Sequence, residues 1–95
     1  SGLRVDYEYA DLAIKQYGII IKGGAWFTIC DPETKEPLEI DGSLVKLNGL
    51  AKVYDYLQNN EEYYSKLCTY INNNMTQVEL EGFDDELPEY TATND

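Results

Sequence analysis

The chain has 95 residues, 43% of them apolar, with 18 acidic and seven basic residues, two cysteines, no histidine and a net charge of −11. That length suits a single domain, and the apolar content suits a folded chain rather than a disordered one. Two distant cysteines without a histidine exclude a structural zinc site and every nucleophile activated by histidine.

The first predicted element is a helix over residues 7–17, where Ala10, Ala13, Ile14 and Tyr17 share one face. Asp6 is its expected N-cap, Glu8 complements the positive end of the helix, and Gly18 stops it. Residues 19–22 and 25–30 read as the arms of a β-hairpin turning at Gly23-Gly24, because two-residue hairpin turns demand positive φ. Alternation puts Trp26, the only tryptophan, with Thr28 and Cys30 on one face of the second arm, and Phe27 and Ile29 on the other. Apolar groups on both faces predict a strand packed on each side, or at least at one end. Trp26 reads as core or rim packing rather than as a surface for stacking bases.

Asp31-Pro32-Glu33-Thr34-Lys35 is a turn, in which Asp31 accepts from the backbone two residues on. Residues 37–40 are expected to pair back, Asp41-Gly42 to turn again, and residues 43–47 to form a strand with Leu44, Val45 and Leu47 apolar. Asn48-Gly49 precedes a helix over 50–58, with Leu50, Val53, Tyr54 and Leu57 as its buried stripe. Asn60 is the expected cap of a last helix, with Glu61 and Glu62 in its first turn. Tyr64, Leu67, Cys68 and Ile71 give that helix the cleanest periodicity in the chain, and Asn72-Asn73-Asn74 ends it. The order predicts an α+β domain over 1–78: an N-terminal helix, a small antiparallel sheet of three to four strands and two C-terminal helices. Residues 79–95 are polar and nonperiodic, with Phe83, Leu87 and Tyr90 scattered among carboxylates, and read as a flexible acidic tail. This tail holds Glu79, Glu81, Asp84, Asp85, Glu86, Glu89 and Asp95 and no base, which leaves residues 1–78 with a net charge of −4.

Ile19-Ile20-Ile21 is as long as any uninterrupted apolar run, so no membrane span or signal segment is expected. A soluble, cytoplasmic protein with reduced, partly buried Cys30 and Cys68 is the natural reading. The chain has no phosphate-loop motif, and Lys22-Gly23-Gly24 is a hairpin turn rather than a phosphate cradle. Adjacent carboxylates such as Asp84-Asp85 and Glu61-Glu62 read as solvated charge or helix-dipole partners. We therefore expect no catalytic residue, no metal site and no cofactor on this chain. The functional candidates are basic: Lys22 on the hairpin, Lys52 near the positive end of the second helix, then Lys46 and Lys15.

Gly2, Asp11-Leu12-Ala13-Ile14, Gly18-Ile19-Ile20 and above all Lys22-Gly23-Gly24-Ala25-Trp26-Phe27 resemble the C-terminal domain of RecA-type recombinases. Asn48-Gly49 stands at that family's Gly-x-Gly, and Asn59-Asn60-Glu61-Glu62 where it caps its second helix. The resemblance covers residues 2–73, and the family often ends in an acidic tail. Three departures mark a divergent member, such as one from a phage or mobile element. The loop from Asp31 to Ser43 is long, Leu47 and Glu61 replace a glycine and a proline, and Leu50 stands where a basic residue is common, with Lys52 two positions on.

The resemblance implies a role in DNA recombination and repair, with ATP and Mg bound by an ATPase core absent from this chain. Implied partners are double-stranded DNA, held weakly and in a salt-dependent way, the rest of the recombinase and neighbouring filament subunits, but no membrane. Lys22 falls where the family carries a lysine implicated in duplex contact. A flexible tail of this length reaches roughly 20–25 Å, beyond the ~8 Å screening length, so its carboxylates would compete for the lysines. The alternative from composition alone is a small acidic DNA mimic or protein-interaction module.

Overall fold

The computed structural model describes residues 4–76. Helix α1 spans Tyr7–Lys15, and the Asp6 carboxylate caps it by accepting from the Glu8 N–H at 2.9 Å. It ends earlier than its apolar spacing predicts. The Gln16 and Tyr17 N–H groups both turn back to the Leu12 carbonyl, at 2.9 and 3.0 Å. Gly18, at φ 64°, then lets the Ile19 N–H reach the Ala13 carbonyl at 3.0 Å.

Strands β1 (Ile20–Gly23) and β2 (Trp26–Ile29) pair antiparallel, with Gly23 opposite Trp26. That register places the two-residue turn at Gly24-Ala25, one residue later than predicted. Only Gly24 has positive φ, which matches a turn needing it at its first central position alone.

The long segment after β2 is ordered by its own turn chemistry. Asp31 Oδ1 accepts from the Glu33 and Thr34 N–H groups at 2.8 and 3.0 Å, as the sequence predicts. Lys35, at φ 66°, extends its Nζ to the Tyr70 hydroxyl at 2.8 Å, which fastens the segment to the last helix. Pro37 bridges back to Cys30, and the Leu38 N–H donates to the Ile29 carbonyl at 2.9 Å. Strands β3 (Glu39–Ile40) and β4 (Ser43–Leu44) then form a hairpin of their own. Asp41 and Gly42 between them both take positive φ, 54° and 84°. The expected single sheet is therefore divided: β3 and β4 stand apart from a three-stranded antiparallel sheet ordered β1-β2-β5, with β5 at Lys46–Asn48.

Helices α2 (Leu50–Asn59) and α3 (Glu61–Asn74) complete an α+β domain. The face of α3 buries Tyr64, Leu67, Cys68 and Ile71, as the periodicity predicts. In α2 only Val53 and Leu57 are buried, while Leu50 is 41% exposed and falls outside the expected stripe. Asn60 does not cap α3 with its side chain. Its Nδ2 donates instead to the Tyr56 carbonyl at 2.7 Å and closes the end of α2.

One core joins these helices to one face of the sheet, with Tyr9, Ala13, Ile20, Ile29, Leu57 and Leu67 fully buried. Each such large aliphatic side chain contributes roughly 1.5–3 kcal/mol by leaving water. Tyrosine hydroxyls supply the polar fastenings. Tyr9 donates to Asn72 Oδ1, Tyr63 donates to the Cys30 carbonyl at 2.6 Å, and Tyr64 accepts from the Asp6 N–H at 2.6 Å. Cys30 and Cys68 are fully rather than partly buried and form no disulfide. Among the described residues, no helix is long and apolar enough to cross a membrane. The predicted 79–95 tail and its seven acidic residues lie outside the described residues.

Candidate nucleic-acid interface

Residues opposite one another in an antiparallel ladder point to the same face. Ile20 with Ile29, and Lys22 with Phe27 and Leu47, therefore face the helices. The other face carries Ile21, Gly23, Trp26, Thr28, Lys46 and Asn48. At the Ile19–Cys30 end, both faces are covered, since Ile19, Ile20, Ile29 and Cys30 are all fully buried. Toward the hairpin turn both faces open. The predicted two-sided packing thus holds at one end of the strands. Trp26 lies at the other end, 49% exposed, so it is not core.

The start of α2 is tied to that open end. The Gly49 N–H donates to the Ala25 carbonyl at 2.9 Å, which sets the helix N-terminus beside the hairpin turn. Gly49 precedes α2 at φ 99° with no side-chain cap, and the first turn holds no acidic residue. Its leading N–H groups and the dipole of the helix therefore meet no carboxylate cap. Lys52 sits in this same turn.

Two of the four predicted lysines thus lie toward the turn end of the domain, Lys22 on β1 and Lys52 on α2, while Lys46 on β5 sits opposite Thr28, midway along the strands. All three are exposed, and none makes an ion pair among the described residues. Lys22 and Lys46 project from opposite faces of the sheet. Lys15 is not part of this group. It pairs with Asp11 at 3.3 Å on the surface of α1, a helix that joins β1 at the end away from the turn.

The remote end has the opposite character. A shallow cleft of about 420 Å³ there is lined by Asp31, Pro32, Leu38, Asn60, Glu61, Glu62, Tyr63 and Lys66. The N–H groups of Thr34 and Glu33 hold the Asp31 carboxyl below its ordinary range. Three carboxylates against one lysine make this a poor surface for polyphosphate. The predicted turn at Gly23-Gly24 would set Ile21 directly opposite Trp26, whereas the observed register sets Gly23 there and leaves Ile21 diagonal. Asn48 was missed because the register of β5 has no local signal. No protein-family model, curated protein or solved structure matches the chain.

Proposed function

We propose that this chain is the C-terminal, duplex-DNA-contacting domain of a RecA-like recombinase, whose ATPase core is not on this chain. The observation that carries the reading is the Gly49–Ala25 hydrogen bond, which gathers Lys22 and the Lys52 turn of α2 at one end of an otherwise acidic chain. The element order, a helix, a hairpin with its tryptophan and then two helices, supports it, as do the residues shared with that family. Lys22 and Lys52 each neutralise a backbone phosphate, with the α2 N-terminus adding N–H donors. Lys46 adds a third contact from the other face of the sheet. Two or three phosphate contacts give weak binding with a log–log salt slope of about −2 to −3. Residues 79–95 act as an electrostatic competitor for the same lysines.

The test is a titration of the full chain with duplex DNA at several salt concentrations, repeated after deletion of residues 79–95. Tighter duplex binding without the tail is expected. Unchanged affinity removes the competitor role. Binding to a basic DNA-binding protein but not to duplex favours an acidic mimic instead. A coding sequence upstream of Ser1 without a phosphate-loop ATPase would overturn the family reading.

A further inference from the structure

Apart from Lys46, the outer face of the sheet near the turn carries side chains that duplex-backbone contact does not use. Trp26 lies there half exposed, stacked on no other ring among the described residues. Its opposite neighbour on β1 is Gly23, and its opposite neighbour on β5 is Asn48. A Cβ built at Gly23 would meet nothing within 4 Å, so one flank of the indole borders open space. Ile21 and Lys46 are diagonal neighbours, within the reach of about 7–8 Å at which long side chains interact across a sheet. The chain carries 18 acidic residues, yet none of the six residues on this face is acidic.

We propose that this face binds an unpaired nucleobase of a single-stranded nucleic acid, stacked on Trp26 in the slot beside Gly23. Lys46 takes the adjoining phosphate, and the Asn48 amide offers a donor and an acceptor to the base edge. Charge selects this occupant. An acid-free face with a lysine suits a phosphate-bearing ligand, and the same lysine repels the cationic ligands that aromatic rings otherwise attract. Size agrees. Three strands of three to four residues span roughly 10 by 14 Å, whereas a stable protein interface needs about 800 Å² per partner. That footprint holds one or two bases. This site lies on the face opposite Lys22, and Lys46 is the one residue it shares with the proposed duplex contact. The inference does not require the recombinase reading to hold.

Because Trp26 is the only tryptophan, intrinsic fluorescence reports on the site directly. The full chain is titrated with oligothymidylate and with a duplex of equal length at low salt, alongside anisotropy of labelled oligonucleotide. Oligothymidylate should quench Trp26, and the duplex should quench it less. Trp26→Ala should weaken single-strand binding roughly 5- to 150-fold, with Trp26→Phe retaining most of it. Gly23→Val fills the slot without touching the lysines and should reduce quenching while leaving the circular dichroism unchanged. Lys46→Ala should make the single-strand salt slope shallower by about 0.7. Binding without quenching, an unaltered affinity in Trp26→Ala, or no binding of oligothymidylate would each overturn the proposal. Lys22→Ala with Lys52→Ala separates the two readings. Lost duplex binding with intact quenching is the outcome expected when both hold. Quenching by oligothymidylate in a chain that never binds duplex would sink the duplex reading and keep this one.

Discussion

The two ends of one hairpin have been put to opposite uses. At the Ile19–Cys30 end, four residues are fully buried, with both faces of the ladder covered. Three positions along from Ile19 and four back from Cys30, Lys22 and Trp26 are exposed on opposite faces, and the chain turns through glycine. The ladder hydrogen bonds are of the same kind at both ends. What differs is how much apolar surface leaves water, and that sets where stability is lost to mutation and where a ligand can be met without loss of the fold.

The largest effect should separate those ends. Ile29→Ala should cost about 2–5 kcal/mol, because it empties a fully buried position. Lys22→Ala should stay within about 0.5 kcal/mol. Denaturant midpoints for the two variants check this, and equal losses would erase the distinction.

A smaller loss should follow at the seam between the buried end and α3. Tyr63→Phe removes the hydroxyl that satisfies the Cys30 carbonyl, at a cost of about 1–3 kcal/mol. The same tyrosine adds a pH signature. Burial raises the Tyr63 hydroxyl well above its ordinary value of 10.0, and burial raises Tyr9 likewise. Below that value both folded and unfolded chains keep these protons. Above it the unfolded chain releases protons that the folded chain retains, so stability falls as pH rises. Thermal melts at increasing alkaline pH should show the decline, and Tyr63→Phe should make it shallower.

At the turn, two adjacent glycines should respond differently. Gly24 holds φ at 64° with open space around a hypothetical Cβ, so Gly24→Ala should cost about 1 kcal/mol through the backbone alone. Gly23 is strand residue rather than turn, and Gly23→Ala should be neutral or stabilising by up to about 1 kcal/mol. Reversal of that order in melting temperature would return the turn to Gly23-Gly24.

This last pair also shows where sequence reading stops. Periodicity was enough for α3, because Tyr64, Leu67, Cys68 and Ile71 all face one core. It failed at Leu50, where an apolar residue in register lies in the first turn of α2, beyond the reach of the core. Propensity identified Asp6 and Asp31, whose partners lie two residues away. It placed Asn60 correctly at the N-cap of α3, where its carbonyl accepts from the Tyr64 N–H, but missed that its side chain turns to the end of α2 instead. The separate β3–β4 hairpin follows from Asp41-Gly42, whose paired positive φ values favour a tight local turn over return to the main sheet. As for the site, the lysines could be picked out singly from charge and motif. Their grouping could not, because it depends on the Gly49–Ala25 bond and on β5 pairing with β2 across the long segment between them. Lys15 stands apart from that grouping, on α1, where Asp11 one turn earlier pairs with it on the surface.

The most direct test of the proposed interface is the salt dependence of duplex binding by the full chain carrying both Lys22→Ala and Lys52→Ala, with Lys15→Ala as the control. The double variant should bind more weakly, with a log–log slope shallower by about 2, while the control keeps the parent slope. A double variant and a control that both follow the parent curve would contradict the placement of the DNA contact at the hairpin end of the domain.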